Sequence, residues 1–308
     1  MYVRVLGSAA GGGYPQWNCN HPNSRRARQN DPSAPQRTQS SLAVSADGER
    51  WLLFNASPDL RQQISDNDIL HPKKELRESP IKGALLTNAD VDHVAGLLNL
   101  RESQPLRLYG SDRVLSVLNA NSIFNVLNPD FVARETVELN VETQITEQDG
   151  SDMGFAVLPF AVPGKVALWL EDKSKGDNFG TEEGDTIAVE VKQAGKTRFF
   201  YIPACAKMTD ALAARIRGAE MVFFDGTLWV DDEMVRDGVG VKTGQRMGHM
   251  SVSGSDGTMA AFADLEVARK IFIHINTTNP ILIEDTDERR AVEQQGWEVS
   301  FDGMHIEL

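Results

Sequence analysis

The sequence predicts an α/β chain of the mixed α+β kind, in which sheets with both parallel and antiparallel strands are covered by helices. Three observations carry that expectation. Near the N-terminus, short alternating segments are separated by tight-turn residues, as in hairpins. From Ile81 onward, apolar strands alternate with helical stretches. Across all 308 residues there is no internal repeat, low-complexity tract or linker composition, so a single domain covering 1–308 is expected.

The elements follow in order. YVRVL (2–6) alternates into the glycine cluster GSAAGGG (7–13), which lacks the Lys-Ser/Thr and helix pattern of a phosphate loop. A segment rich in Asn, Arg, Pro and Ser, about 14–39, reads as irregular, and a loop of that length is usually functional or mobile. SLAVS (41–45) and WLLFN (51–55) flank the turn ADGER, a hairpin signal. Ser57-Pro58-Asp59 begins a helix, with the serine as N-cap and the proline in the first turn. Strands are expected at 83–86, 106–109, 155–162, 186–191, 197–202, 221–224, 271–275 and 298–301. Helices are expected near 94–101, 114–120, 210–217, 258–268 and 286–295, with a polar loop at 173–185. The acidic run Asp231, Asp232, Glu233 suits a helix N-terminus, where carboxylates oppose the macrodipole, better than a metal site.

Composition excludes several function classes. Hydrophobic residues at 41% and charged residues at 24% are those of a soluble globular protein. A formal net charge of -13 supplies no general basic field, which argues against nucleic acid as a partner. The local basic run Arg25, Arg26 and Arg28, with Arg37 beyond, reads as a solvated loop. The start MYVRVLGSAA carries a charge among few apolar residues and is not a secretory signal. No run approaches the roughly 18 apolar residues that span a bilayer, so membrane insertion is not expected. Cys19 and Cys205 do not make a disulfide framework, and a reduced, cytoplasmic protein is expected. Cys205, after an apolar strand, reads first as a small buried thiol.

The candidate chemistry lies at strand ends. Of six histidines, His93 follows a strand and opens a helix beside Asp90 and Asp92, while His274 ends the apolar run Ile271-Phe272-Ile273. Asp225 ends MVFFD, and His249 lies in the glycine-punctuated GHMS. A lone histidine in such a place is more often structural, but several ligand types gathered at carboxyl ends of strands point to a site. Two imidazoles with one or two carboxylates suit Zn(II), Fe(II) or Mn(II), and spacing does not choose among them.

TNADVDHVAGL (87–97) resembles the metal motif T-H-x-H-x-D-H-x-x-G-L of the metallo-β-lactamase superfamily. Asn88 and Asp90 stand where its first two histidines would be, whereas Asp92, His93, Gly96 and Leu97 match. Asp225 and His274 occupy the places of the bridging aspartate and the final histidine, and His249 that of a G-H motif. A narrower resemblance runs from end to end: VLGSAAGGGYPQWNC, RTQSS, NASPD, VPGKV, FDGTLW, TGQRMGH and HINTTNPIL are similar to blocks of the pyrroloquinoline quinone (PQQ) biosynthesis protein B family. The resemblance implies an αββα sandwich of two mixed sheets with helices on the outer faces and the site at one edge, and makes the glycine cluster a tight loop after the first strand.

It also implies a place in building PQQ from a small-molecule precursor derived from the Glu and Tyr of a peptide. Two family roles are then open: carriage or transport of PQQ or its precursor, and iron-dependent oxygenation of the tyrosine ring with dioxygen. A metal-dependent hydrolase is the third reading. The residues fit an oxygenase better than a binuclear hydrolase, since Asn88 is a poor ligand, Asp90 a weak substitute, and no histidine lies near Pro163-Gly164-Lys165. His93, His274 and Asp92 are expected as primary ligands, Asp225 as a fourth ligand or as the orienter of a histidine, and His249 as a proton-transfer group. Fe(II) is the expected metal, with Zn(II) or another divalent ion as the alternative. Arg246 and Lys165 are candidates to meet substrate carboxylates. Other pathway proteins and a homodimer are the assemblies left open. Relatives carry C-x-C-x-x-C after the Trp-Asn pair, a knuckle suited to structural zinc, where this chain reads CNHPNS. Cys19 and His21, with His305 as a speculative third donor, could retain that zinc, or it could be lost.

Overall fold

The computed structural model describes residues 1–176 and 178–308. Its strands are β1 (Tyr2–Gly7), β2 (Ser41–Ser45), β3 (Trp51–Phe54), β4 (Ile81–Leu86), β5 (Leu106–Gly110), β6 (Val132–Thr136), β7 (Thr143–Thr146), β8 (Asp152–Ala161), β9 (Ile187–Gln193), β10 (Lys196–Ile202), β11 (Met221–Asp225), β12 (Arg269–Ile273), β13 (Trp297–Val299) and β14 (His305–Glu307). The helices are α1 (Pro22–Arg28), α2 (Leu60–Asp66), α3 (Val91–Val94), α4 (Asp112–Ala120), α5 (Asp210–Ile216), α6 (Glu233–Arg236), α7 (Gly244–Met247), α8 (Thr258–Ala261) and α9 (Asp287–Gln294).

Two seven-stranded sheets result, ordered β14-β1-β2-β3-β4-β5-β6 and β13-β12-β11-β10-β9-β8-β7. Each is divided in the same way. β14 through β3 and β7 through β10 pair antiparallel, whereas β3 through β6 and β10 through β13 run parallel. Period-two alternation sets the layers. In β11, Phe223 enters the core between the sheets with Phe54, Phe199 and Tyr201, while Val222 and Phe224 face the opposite core with Phe262 and Trp297. In β3, Leu52 and Phe54 point into the central core, and Trp51 and Leu53 point out to Val114 and Leu118 of α4. Three apolar layers therefore separate four structural ones. This is the αββα sandwich that the resemblance implies.

Several local expectations need correction. The stretch 14–39 contains α1, and Arg37 is buried rather than solvated, close to Ser300 O, with its Nη1 3.4 Å from Ser8 Oγ. Arg26 pairs with Asp31 and Asp285, and Arg28 with backbone carbonyls, so the basic run is structural. Ser57 is not an N-cap; α2 begins at Leu60 after Asp59, and Ser57 Oγ donates to Gln63 Oε1. The helix expected near 94–101 is α3 followed by a 3-10 turn. The one expected at 258–268 stops at Ala261, and Glu266 at φ 54 would itself bar a helix from reaching 268. Among the described residues no helix is long and apolar enough to cross a membrane.

Candidate metal centre and cavity

The first half of the centre is built where β4 ends. Asn55, just past β3 at φ 63, accepts a hydrogen bond from Thr87 N at 2.8 Å and ties the two parallel strand ends together. Asn88 Oδ1 then accepts from Asp90 N at 2.9 Å, closing a turn that launches α3. Gly96 lets this short helix lie against the chain after β3. A Cβ there would meet Ser57 O at 2.0 Å, and in its absence Gly96 N donates to Ala56 O while Ala56 N donates to His93 O. His93 is thereby gripped from its own backbone.

The second half comes from the other sheet. Asp225 closes β11 with its side chain wholly buried, and His274 follows β12 in the left-handed region at φ 59. Gly248, at φ 87, ends α7 and turns His249 toward the same place. Asp225 Oδ2 accepts from Cys205 N at 2.9 Å and lies 2.7 Å from His249 Nδ1. His274 Nε2 lies 3.1 Å from Asp92 Oδ2, and His93 Nδ1 lies 3.1 Å from Asp92 Oδ1. The imidazoles stack, with His274 between His93 and His249 at centroid distances of 5.4 and 5.2 Å.

Two donor groups emerge, Asp92-His93-His274 and Asp225-His249-His274, each with its ligand atoms within 4.8 Å of one another. His274 belongs to both. Within the first group the charges reinforce one another. Burial works to raise Asp92, but His93 and the bond to His274 outweigh it and hold the carboxyl well below its usual range. Burial works to lower His93, and Asp92 reverses it, whereas His274 is lowered by burial despite Asp92. His93 Nε2 is buried without any hydrogen-bond partner. An orphaned imidazole nitrogen beside a carboxylate and a second histidine fits a divalent cation.

Beside these groups lies a cavity of about 500 Å³ whose lining includes His93, His249, His274, Thr227, Lys165 and Trp169. Asp90 lines it as well but joins neither donor group. Its Oδ1 accepts from Leu168 N at 2.8 Å and its Oδ2 faces Lys165 Nζ at 3.7 Å. Arg246 and Lys165 are not free cations either. Both turn to Glu171, Arg246 in a two-pronged contact at 3.1 and 2.5 Å, Lys165 at 3.8 Å, with Lys242 joining at 3.5 Å. Spacing gave no signal for Glu171, whose partners Lys242 and Arg246 lie about seventy residues further along the chain.

Cys19 and His21 lie together, with His21 N donating toward Cys19 Sγ, but His305 does not join them. It sits on β14 opposite Arg4, stacked on Tyr2 and facing Glu307. His21 instead caps α1 through Nδ1 and meets Asp237 at 3.2 Å through Nε2, and Ser24 is buried against Thr277 Oγ1 at 2.7 Å. Asn23 Nδ2 donates to Thr278 O at 2.9 Å, so this segment props the loop that follows His274. Cys205 is buried and its thiol is pushed up to about 12 by that burial.

Fold and donor arrangement define a protein of the beta-lactamase superfamily, and residues 50–275 match the family described as the beta-lactamase superfamily domain. A coenzyme PQQ synthesis protein B from Xanthomonas oryzae pv. oryzae is 54% identical over 308 residues, covering 100% of both chains. Its counterpart from Gluconacetobacter diazotrophicus is 54% identical over 302 residues, 98% of each. The crystal structure of Zn(2+)-bound PqqB from Methylobacterium extorquens matches 100% of both chains with a TM-score of 0.93 and 50% identity. The chain belongs to the coenzyme PQQ synthesis protein B family.

Proposed function

We propose that this protein acts in PQQ biosynthesis as a metal-dependent oxygenase that hydroxylates the tyrosine ring of a Glu-Tyr-derived precursor. The observation that carries the reading is the inequality of the two halves of the motif. Asp92, His93 and His274 converge, while Asn88 closes a turn and Asp90 is held by Leu168 and Lys165. A two-histidine, one-carboxylate set leaves coordination positions open on one side. Divalent metal binding is supported by this donor set and by the zinc-bound relative. Iron(II) held by Asp92, His93 and His274, with dioxygen as co-substrate, would supply the oxidative chemistry.

The remaining roles fall to side chains. Asp225 holds His249 by Nδ1, leaving its other nitrogen basic and able to take the phenolic proton of a substrate in the cavity. Leu168 and Trp169 provide an apolar wall for a ring, and the cavity is of ordinary size for a small-molecule site. In balance, one oxygen atom is inserted into a ring C–H bond to give a hydroxyl and the other leaves as water, with two electrons and two protons from an added reductant. The site of action is the cytoplasm, in company with other proteins of the pathway.

Anaerobic loading with Fe(II), addition of the cross-linked Glu-Tyr diamino acid and ascorbate, and then admission of dioxygen tests the reading. A gain of one oxygen atom in the ligand by mass spectrometry is expected, and no gain from His93→Ala or His274→Ala, which should also lose their iron. Unchanged ligand that remains bound would mark a carrier instead. Anaerobic bond cleavage with Zn(II) would mark a hydrolase.

A further inference from the structure

We propose that Lys165, Lys242 and Arg246 form a carboxylate subsite at the wall of the cavity, that Glu171 is its internal occupant, and that an aromatic dicarboxylate displaces Glu171 on binding. The proposal deepens the preceding reading and rests on it only for the aromatic nature of the ligand.

Three cations converge on one carboxylate. Arg246 reaches both Glu171 oxygens, Lys242 and Lys165 approach Oε1, and Glu171 keeps only 9% of its side chain exposed. Arg246 is fixed further by stacking over the Phe179 ring at 3.5 Å. Among the described residues the cluster's other acidic partner is Asp90, facing Lys165, so three cations meet two carboxylates there. A chain with a net charge of -13 concentrates this local excess beside the cavity. Lys165 and Lys242 both line it.

Glu171 is carried on a half-exposed strap. Leu168, Trp169 and Leu170 are 54%, 44% and 39% exposed, although the first two line the cavity. The strap is tied to the metal motif by two bonds, Leu168 N to Asp90 Oδ1 and Trp169 Nε1 to Ala89 O at 3.4 Å. Exchange of Glu171 for a ligand carboxylate preserves the pairing of all three cations, so the subsite is never left with uncompensated charge. Trp169 is placed to cover the ligand's ring as the strap adjusts. An internal competitor of this kind weakens apparent affinity by the fraction of molecules in which it occupies the subsite.

Isothermal titration of the full-length, zinc-loaded protein with benzene-1,3-dicarboxylate tests this, with benzoate for comparison. Glu171→Gln should bind the dicarboxylate roughly tenfold more tightly than the parent, the factor expected if the subsite is free in about one molecule in ten. The gain should be smaller for benzoate, and adding Arg246→Gln should abolish it. Unchanged or weaker binding by Glu171→Gln, with a lowered Tm, would show Glu171 to be a structural staple and overturn the proposal. Dicarboxylate binding requires neither iron, dioxygen nor turnover. A tenfold gain without oxygen incorporation therefore overturns only the oxygenase reading, and incorporation without the gain overturns only the subsite.

Discussion

Thr227 shows how much of the centre rests on a single hydroxyl. Its Oγ1 lies 2.6 Å from Asp225 Oδ1, 2.9 Å from His274 Nδ1 and 3.1 Å from His249 Nδ1. The hydroxyl has one proton, and the shortest contact assigns it to the carboxylate. The oxygen can then accept from Nδ1 of His274, so that a cation taking the place of the Nε2–Asp92 hydrogen bond would meet the Nε2 lone pair. Thr227→Val is expected to weaken metal binding by about 10- to 100-fold, in the range seen when a ligand's hydrogen-bond partner is removed. Thr227→Ser should restore most of it. Competition against a chromophoric chelator measures both, and equal affinity in all three proteins would show that Thr227 does not set the tautomer. The convergence of Asp92, His93 and His274 was legible because ligand-type side chains at strand ends make a local pattern. Thr227 stood in the same strand-end block without drawing notice, since a threonine acting through two distant histidines has no signature of its own.

At the scale of elements, the placement of α3 against the segment after β3 depends on Gly96. Gly96→Ala forces a methyl into the Ser57 and Ala56 carbonyls and should cost about 1–3 kcal/mol, read by urea unfolding. Loss of metal affinity should accompany it, since Ala56 N holds His93 O. Stability within a few tenths of a kcal/mol of the parent would mean that the helix can shift freely. The central strands were readable in advance because their apolar runs, such as Met221–Phe224 and Ile271–Ile273, are buried on both faces. β6, β7 and β14 were not, being short edge strands of mixed burial; β14 also pairs with β1 from the opposite end of the chain. Lys165 and Arg246 were singled out by charge, but their partner Glu171 follows from tertiary packing alone.

For the whole molecule, the central core contains residues of both sheets, from Val3 to Ile306, so urea unfolding is expected as one cooperative transition. Two separate transitions would contradict a single domain. One buried acid should shape the pH dependence of that stability. Burial first, offset in part by bonds from Thr278 Oγ1 and Trp229 N, raises Glu233 from 4.5 to about 7. Between those two pH values the folded protein keeps a proton that the unfolded chain has released. Its contribution to stability therefore falls as pH rises through this window and levels off above it. The fall is on the order of 3 kcal/mol at most. Glu233→Gln should flatten it, seen by comparing unfolding at pH 5 and pH 7.5 with the parent; parallel curves would refute the assignment.

The shared position of His274 between the two donor groups has a consequence for the order of assembly. Asp92 and His93 lie on α3, which follows β4 of the first sheet, Asp225 and His274 lie at strand ends of the second, and His274 emerges late in synthesis. A nascent chain can present only fragments of the site, so tight metal capture must await docking of the two sheets. A complete set of donors therefore exists only once the two sheets have docked.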